Sequence, residues 1–212
     1  MRHIVFDFDG TIADTSFAIC EAMERACIRH GAEYVGDKEF STYIGQDLNV
    51  CIAKATTQVL TKPQIDGVAR SYRETFKYEL VKPFVGIKEV LQECLANDCH
   101  LSIASSRHIH SLTELLQMND LSQYFEFVIS GDQVSNPKPD AEMLLITADK
   151  FQCDAQELIV VGDTKWDMQM AKNAGATGLG VTWGSHEKAM LSDAGAATTF
   201  DTPEELQKYF VS

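Results

Sequence analysis

The sequence predicts an α/β fold in which a parallel sheet carries helices on both faces and is interrupted by an all-helical insert. Three observations predict it. From Ile87 onward, short apolar runs of strand length alternate with amphipathic helical patterns. Between Thr15 and about Tyr78 the periodicity is helical throughout. The first apolar run, His3 to Phe8, ends in two carboxylates, Asp7 and Asp9, followed at once by Gly10 and Thr11.

The run from His3 to Phe8 is rich in Ile, Val and Phe, which suits a strand buried on both faces. Acids one residue apart would point to opposite sides of a strand, so both serve one site only if the chain curls after it. Gly10 permits that curl. Asp14, Thr15 and Ser16 are suited to cap the first insert helix, where Cys20, Met23 and Cys27 share a face. A short helix is expected around Asp37 to Ile44. Leu48, Cys51, Ile52, Ala55 and Val59 then follow helical spacing, and Ile65, Val68, Ala69, Tyr72 and Phe76 repeat it. GAEYVGD and TKP supply turns, and KPFVG reads as a linker. The expected division is residues 1–14 and 84–212 as the core and 15–83 as the insert.

After an amphipathic helix on Ile87, Val90, Leu91, Cys94 and Leu95, the strand CHLSIAS leads to a helix over Ile109 to Met118. FEFVIS leads to Ala141 to Phe151, LIVVGD to Met168 to Ala174, and TGLGVT to a last helix near His186 to Ala194. Such alternation implies right-handed crossovers and a parallel sheet, in which ligands bind outside the carboxyl ends of the strands.

With 212 residues, 45% of them hydrophobic, the chain can bury a sizeable core. Its net charge of -13 and the lack of any Lys/Arg run argue against nucleic acid or an anionic membrane as partner. Its six cysteines lack CxxC spacing and read as reduced core thiols. The strand-like start with acids by position 7 lacks the pattern of a signal peptide. No apolar run approaches the roughly 20 residues of a membrane span. A cytoplasmic protein is expected.

Four stretches place polar chemistry at strand ends: DFDGT (Asp7 to Thr11), ASSR (Ala104 to Arg107), NPKPD (Asn136 to Asp140) and GDTKWD (Gly162 to Asp167). Acids in the first and last suggest a divalent-cation site of hard oxygen ligands. Each residue also has a plainer structural reading. Lys138 between two prolines suits a turn, Asp163 a helix N-cap, and Ser105 a hydroxyl serving its own strand end. Arg107 and His108 read as the solvated start of a helix rather than as phosphate contacts. His108 and His110 are two apart on a helix, so they diverge and do not share a metal. Trp166 reads as packing, and Gly45 as a turn glycine or part of a site.

Taken together with DGTIADT, YIGQDL, KPFVGIKEVL and the tail VTWGSHEKAMLSDAGAATTFDTPEEL, these motifs make the chain resemble the haloacid dehalogenase-like hydrolase superfamily over nearly its whole length. It is most similar to phosphatases with a helical C1-type cap after the first motif, and among them to phosphoglycolate phosphatases and their pyrophosphatase-like relatives. The resemblance implies a Rossmann-like core and a Mg²⁺-dependent phosphatase acting on a small phosphorylated metabolite, phosphoglycolate first, through an aspartyl phosphate. It makes Asp7 the nucleophile and Asp9 the acid that protonates the leaving oxygen and then activates water. Haloacid dehalogenases proper usually lack this second acid, so its presence favours phosphoryl chemistry. By the same resemblance Asp7, the Asp9 carbonyl and Asp163 hold the metal, while Asp167 stands behind them holding a metal-bound water or Lys138. Lys138 and Ser105 act on the phosphoryl group. Thr11, Ser106, Gly45 and Gln46 lie on the substrate side; related phosphatases often carry Asn in place of Ser106. The chain would act as a monomer or homodimer. Alternatives are a phosphomutase of the β-phosphoglucomutase type, an inorganic pyrophosphatase and a non-catalytic binding module. Phosphonatase chemistry needs a cap lysine, and no local pattern around Lys38, Lys54, Lys62 or Lys77 matches.

Overall fold

The computed structural model describes residues 2–211. In chain order its strands are β1 (His3–Phe6), β2 (Ala13–Asp14), β3 (Lys82–Pro83), β4 (His100–Ser105), β5 (Phe127–Ser130), β6 (Leu158–Gly162), β7 (Thr177–Val181) and β8 (Thr198–Phe200). The helices are α1 (Ser16–Arg29), α2 (Asp37–Phe40), α3 (Leu48–Lys54), α4 (Lys62–Thr75), α5 (Ile87–Ala96), α6 (Ile109–Met118), α7 (Glu142–Phe151), α8 (Lys165–Ala174), α9 (Lys188–Ala194) and α10 (Pro203–Val211).

Six strands form one sheet in the order β5-β4-β1-β6-β7-β8, and every neighbouring pair is parallel. β1 is central, and its side chains divide between two apolar layers. Ile4 and Phe6 join the layer that holds Leu91, Leu101, Ile103 and Leu112. Val5 joins Ala104, Ile129, Met143, Leu144 and Val160 on the other face. A strand buried on both faces cannot alternate with polar residues, which explains its unbroken apolar run. Register finishes the placement: Phe6 lies opposite Ile103 on one side and Val161 on the other. Asp7, Ser105 and Asp163 therefore leave the same edge of the sheet.

The helices α1 to α4 are inserted between β2 and β3, which pair antiparallel, Ala13 with Pro83 and Asp14 with Lys82. The stretch read as a linker is thus half of a two-stranded ribbon through which the chain leaves and re-enters the sheet domain. Within the insert α1 packs on α4, burying Ala18, Ala22, Met23 and Ala26 together with Val68 and Ala69.

Several expectations need correction. Val59 is fully exposed rather than on a helical face. α3 stops at Lys54, and Thr56 then pairs with Tyr34 in an antiparallel bridge, so helical spacing no longer governs Val59. The first insert helix takes only a weak cap from Asp14, whose Oδ1 accepts the Ser16 N–H at 3.4 Å. α8 begins at Lys165 rather than Met168 because Thr164 and Asp167 form a capping box. β8 and α10 were not anticipated. Pro203 starts α10, and Leu206 and Phe210 are one turn apart and buried where the helix packs on α5. All six cysteines are free thiols. Among the described residues no helix is long and apolar enough to cross a membrane.

Candidate active site

Where β1 ends, the Asp7 N–H still donates to the Val161 carbonyl at 2.8 Å, so the sheet fixes the first acid. The chain then curls. Gly10 adopts φ +81, and a Cβ there would collide with the Asp163 carboxylate. Glycine is needed at this position both for the left-handed backbone and for the close approach. The Gly10 N–H closes the turn on the Ala13 carbonyl at 2.9 Å.

Asp7, Asp163 and Asp167 converge so that one carboxylate oxygen of each lies within 4.8 Å of the others. Lys138 lies among them with no side-chain exposure. Its Nζ donates to Asp7 Oδ1 and to Asp167 Oδ1, both at 2.6 Å. The loop carrying Lys138 is held from outside the site. The Glu142 carboxylate accepts the Ser135 and Asn136 N–H groups at 2.9 and 2.8 Å, and Asn173 Nδ2 donates to the Pro139 carbonyl at 2.9 Å. Sequence reasoning missed both supports.

The carboxylates are used differently. Asp167 has both oxygens engaged: Oδ1 with Lys138, and Oδ2 with the Thr164 N–H at 3.0 Å and the Thr164 hydroxyl. Asp163 is not the helix cap, a part played by Thr164. Its Oδ1 accepts the Thr11 hydroxyl at 3.1 Å and its Oδ2 the Ser185 N–H at 2.7 Å. Asp7 Oδ2 is buried with no hydrogen-bond partner, an unusual state for a carboxylate oxygen.

Asp9 points elsewhere. Arg107 Nε donates to both of its oxygens at 3.2 Å, and Nη2 donates to Oδ1 at 2.5 Å. Nη1 donates to the Ser111 hydroxyl at 2.9 Å, and the guanidinium lies 4.6 Å from the centre of the Phe76 ring. The side chain is 7% exposed, which overturns the reading of Arg107 as a solvated helix start. A buried guanidinium needs an anion, and the paired carboxylate supplies it. Nothing in the local sequence signals this, because the partner is 98 residues away.

Four carboxylates, Asp7, Asp9, Asp163 and Asp167, face two cations, Lys138 and Arg107, leaving a formal charge of −2 in a buried site. Burial pushes the Asp7 carboxyl well above its usual range, with Lys138 opposing and the neighbouring acids adding to the rise. Burial, reinforced by Asp167, pushes Asp163 up to about 7. Burial works against the Lys138 charge, yet Asp167 and Asp7 outweigh it and raise its proton affinity. An excess of buried hard oxygen charge with one oxygen unpartnered fits a divalent cation.

A cavity of about 500 Å³ opens beside Asp7 and Asp9, between the sheet edge and the insert. Ser106, Arg107, Gly45 and Gln46 line it, along with Tyr72 of α4 and Phe76 just beyond that helix. Ser105 is fully buried and its hydroxyl accepts the Arg107 N–H at 3.2 Å. The Thr11 hydroxyl is likewise committed to Asp163. Gly45 sits at φ +95, where a Cβ would come within 3.0 Å of Thr164, and its carbonyl accepts the Ser106 hydroxyl at 2.6 Å. It is thus a turn glycine that also lines the cavity. His186 was also missed: Nε2 meets the Thr42 carbonyl at 3.0 Å while Nδ1 accepts the Lys165 N–H at 2.9 Å. The motif GSHE after a strand was its only sequence signal. The Trp166 Nε1 is buried without a partner, and Lys165 Nζ lies 4.4 Å from the centre of its ring.

Residues 4–181 match the family model described as haloacid dehalogenase-like hydrolase. The chain is 31% identical to "Probable phosphatase IndB" of Dickeya dadantii, over 96% of this chain and 90% of that protein. It is 28% identical to a phosphoglycolate phosphatase of Vibrio cholerae, over 92% and 90% of the two chains. Among solved structures, a hydrolase from Pseudomonas syringae superposes with a TM-score of 0.91 at 23% identity, covering 100% of this chain and 98% of that one. A candidate β-phosphoglucomutase from Thermotoga maritima gives 0.74 at 26% identity, covering 100% and 99%.

Proposed function

The chain belongs to the haloacid dehalogenase-like hydrolases, and on that premise we propose a Mg²⁺-dependent phosphatase of small phosphorylated metabolites, with phosphoglycolate the first substrate to try. The observation that carries this reading is the buried Asp7, held at one oxygen by Lys138 and unpartnered at the other. Such a carboxylate is fixed in place and keeps a free oxygen for nucleophilic attack or metal ligation.

Asp7 attacks phosphorus while the bond to the leaving oxygen breaks, and Asp9 gives that oxygen its proton. Asp9 then takes a proton from water, whose oxygen attacks the aspartyl phosphate; the acyl phosphate P–O bond breaks, releasing inorganic phosphate and restoring Asp7. Lys138 offsets the charge of the incoming phosphoryl group and holds the Asp7 carboxylate toward it. Asp7, the Asp9 carbonyl and Asp163 would hold Mg²⁺, which supplies the positive charge that lets an anionic phosphoryl group approach a carboxylate. Asp167 keeps Lys138 in place, since both of its own oxygens are occupied. In this reading residues 15–83 form a helical cap hinged at the β2–β3 ribbon and 1–14 with 84–212 form the core. Closure of the cap would exclude water from Asp7. The protein would work in the cytoplasm as a monomer or homodimer.

Phosphate release from a panel of phosphorylated metabolites with Mg²⁺ tests the proposal; metal-dependent release that survives Asp7→Asn would overturn it. The likeness to a candidate β-phosphoglucomutase favours a second reading, a phosphomutase. A mutase returns the phosphoryl group to a sugar and frees little phosphate, so product analysis on sugar phosphates separates the two. Pyrophosphate belongs on the same panel.

A further inference from the structure

Arg107 leaves the proposed reaction with a conflict of hydrogen bonds. Both oxygens of Asp9 accept from its guanidinium, so while the pair stands Arg107 competes with a leaving group for this carboxylate. The guanidinium cannot simply move away. It is nearly buried, and Asp9 is the carboxylate that balances it; stripping a buried charge of its counter-ion is strongly unfavourable. Only another anion offered inside the cavity can replace Asp9. The surroundings suit such an exchange, because Ser111 and the Phe76 ring hold the guanidinium independently of Asp9. Arg73 also lines the cavity and has no ion-pair partner among the described residues, while the lining acid Asp132 is met by His108 Nε2 at 3.2 Å. What the fork accepts is shown by its present occupant, a carboxylate.

We propose that Arg107 is a specificity residue that reads a carboxylate on the leaving group of the substrate, exchanging Asp9 for it and so freeing Asp9 for the reaction. This rests on the phosphatase reading above and names a substrate class within it: phosphate monoesters whose alcohol portion carries a carboxylate. Neutral monoesters of the same size leave Arg107 on Asp9 and turn over slowly.

The test compares phosphoglycolate with 2-hydroxyethyl phosphate, which matches it in size without the carboxylate, in wild type, Arg107→Gln and Arg107→Lys, all with Mg²⁺. Wild type is expected to favour phosphoglycolate in kcat/KM by about 30-fold or more, as for a charged hydrogen-bonded pair. Arg107→Gln should collapse the ratio to below about threefold, chiefly through a higher KM for phosphoglycolate. Arg107→Lys, which keeps the charge without the fork, should fall between. Equal losses on both substrates in Arg107→Gln would mean that Arg107 serves the phosphoryl group or the fold, and would overturn the proposal. So would an unchanged ratio. If wild type hydrolyses neither ester, the phosphatase reading is decided separately by the wider panel, and calorimetric binding of the two esters to the Mg²⁺-loaded protein decides the role of Arg107 by the same ratio.

Discussion

Asp7 and Asp9 are separated by one residue, yet they belong to two differently built halves of the site. Around Asp7 the groups come from the ends of sheet strands, the loops that follow them and the first turn of α8: Lys138, Asp163 with its partner Thr11, and Asp167. The sheet and its adjoining loops fix these groups, and their side-chain oxygens are all hydrogen-bonded apart from Asp7 Oδ2. Around Asp9 the contacts cross the boundary between sheet and insert. Arg107 comes from the sheet side and rests on Phe76, just beyond α4, while Ser106 reaches the Gly45 carbonyl. The first half is suited to chemistry that must not move. The second depends on how the insert sits, which suits it to sense what occupies the cavity.

Substitutions can break this contrast at either side. The largest effect is expected from Asp7→Asn, which should lower phosphate release by about a thousandfold or more while leaving the fold intact; assay and circular dichroism check it. Lys138→Ala leaves Asp7 and Asp167 as buried like charges and should destabilise the protein by about 3–5 kcal/mol, read from denaturant unfolding in EDTA, with Mg²⁺ restoring part of the loss. Asp9→Asn should cut turnover about 100-fold or more while calorimetric Mg²⁺ binding persists, because its proposed ligand is the main-chain carbonyl. Loss of Mg²⁺ binding in that variant would erase the distinction between the two halves.

The metal-free protein carries a pH signature of the Asp7 half. Asp163 holds its proton up to about 7 in the folded chain, against 3.8 as its ordinary value. Between those values the native state binds more protons than the unfolded one, so stability falls as pH rises through this window. Asp7 is shifted in the same direction. Thermal unfolding in EDTA across pH 4 to 7 should show a shallower fall for Asp163→Asn than for wild type, and Mg²⁺ should flatten the wild-type curve by favouring the ionised carboxylates. The smallest effect is expected at the insert contact. Gly45→Ala combines a left-handed backbone with a tight approach to Thr164, and should cost about 1–3 kcal/mol, measured by urea unfolding.

Much of the sheet was legible because its strands are short apolar runs bounded by polar ends, and that pattern follows directly from burial on both faces. The helix over Ile109 to Met118 matches the expectation at both ends. The tail was less readable: TTF is too short to carry a period, and α10 shows only two buried positions, Leu206 and Phe210. Val59 failed because its spacing continued a helix that the Tyr34–Thr56 bridge had already ended. In the site, the four acids and Lys138 were nameable from their motifs. The supports Glu142, Asn173 and His186 were not, since each acts through a backbone atom that no motif marks.

The sequence by itself determined the strand and helix alternation, the helical insert and the residues proposed to carry the chemistry, because hydrophobic period and turn residues act over a few positions. Only the tertiary structure decided which acid meets which cation. Lys138 reaches Asp7 across 131 residues and Arg107 reaches Asp9 across 98. Those pairings are set by strand order and by the packing of the insert against the sheet edge, and neither leaves a local trace in the chain.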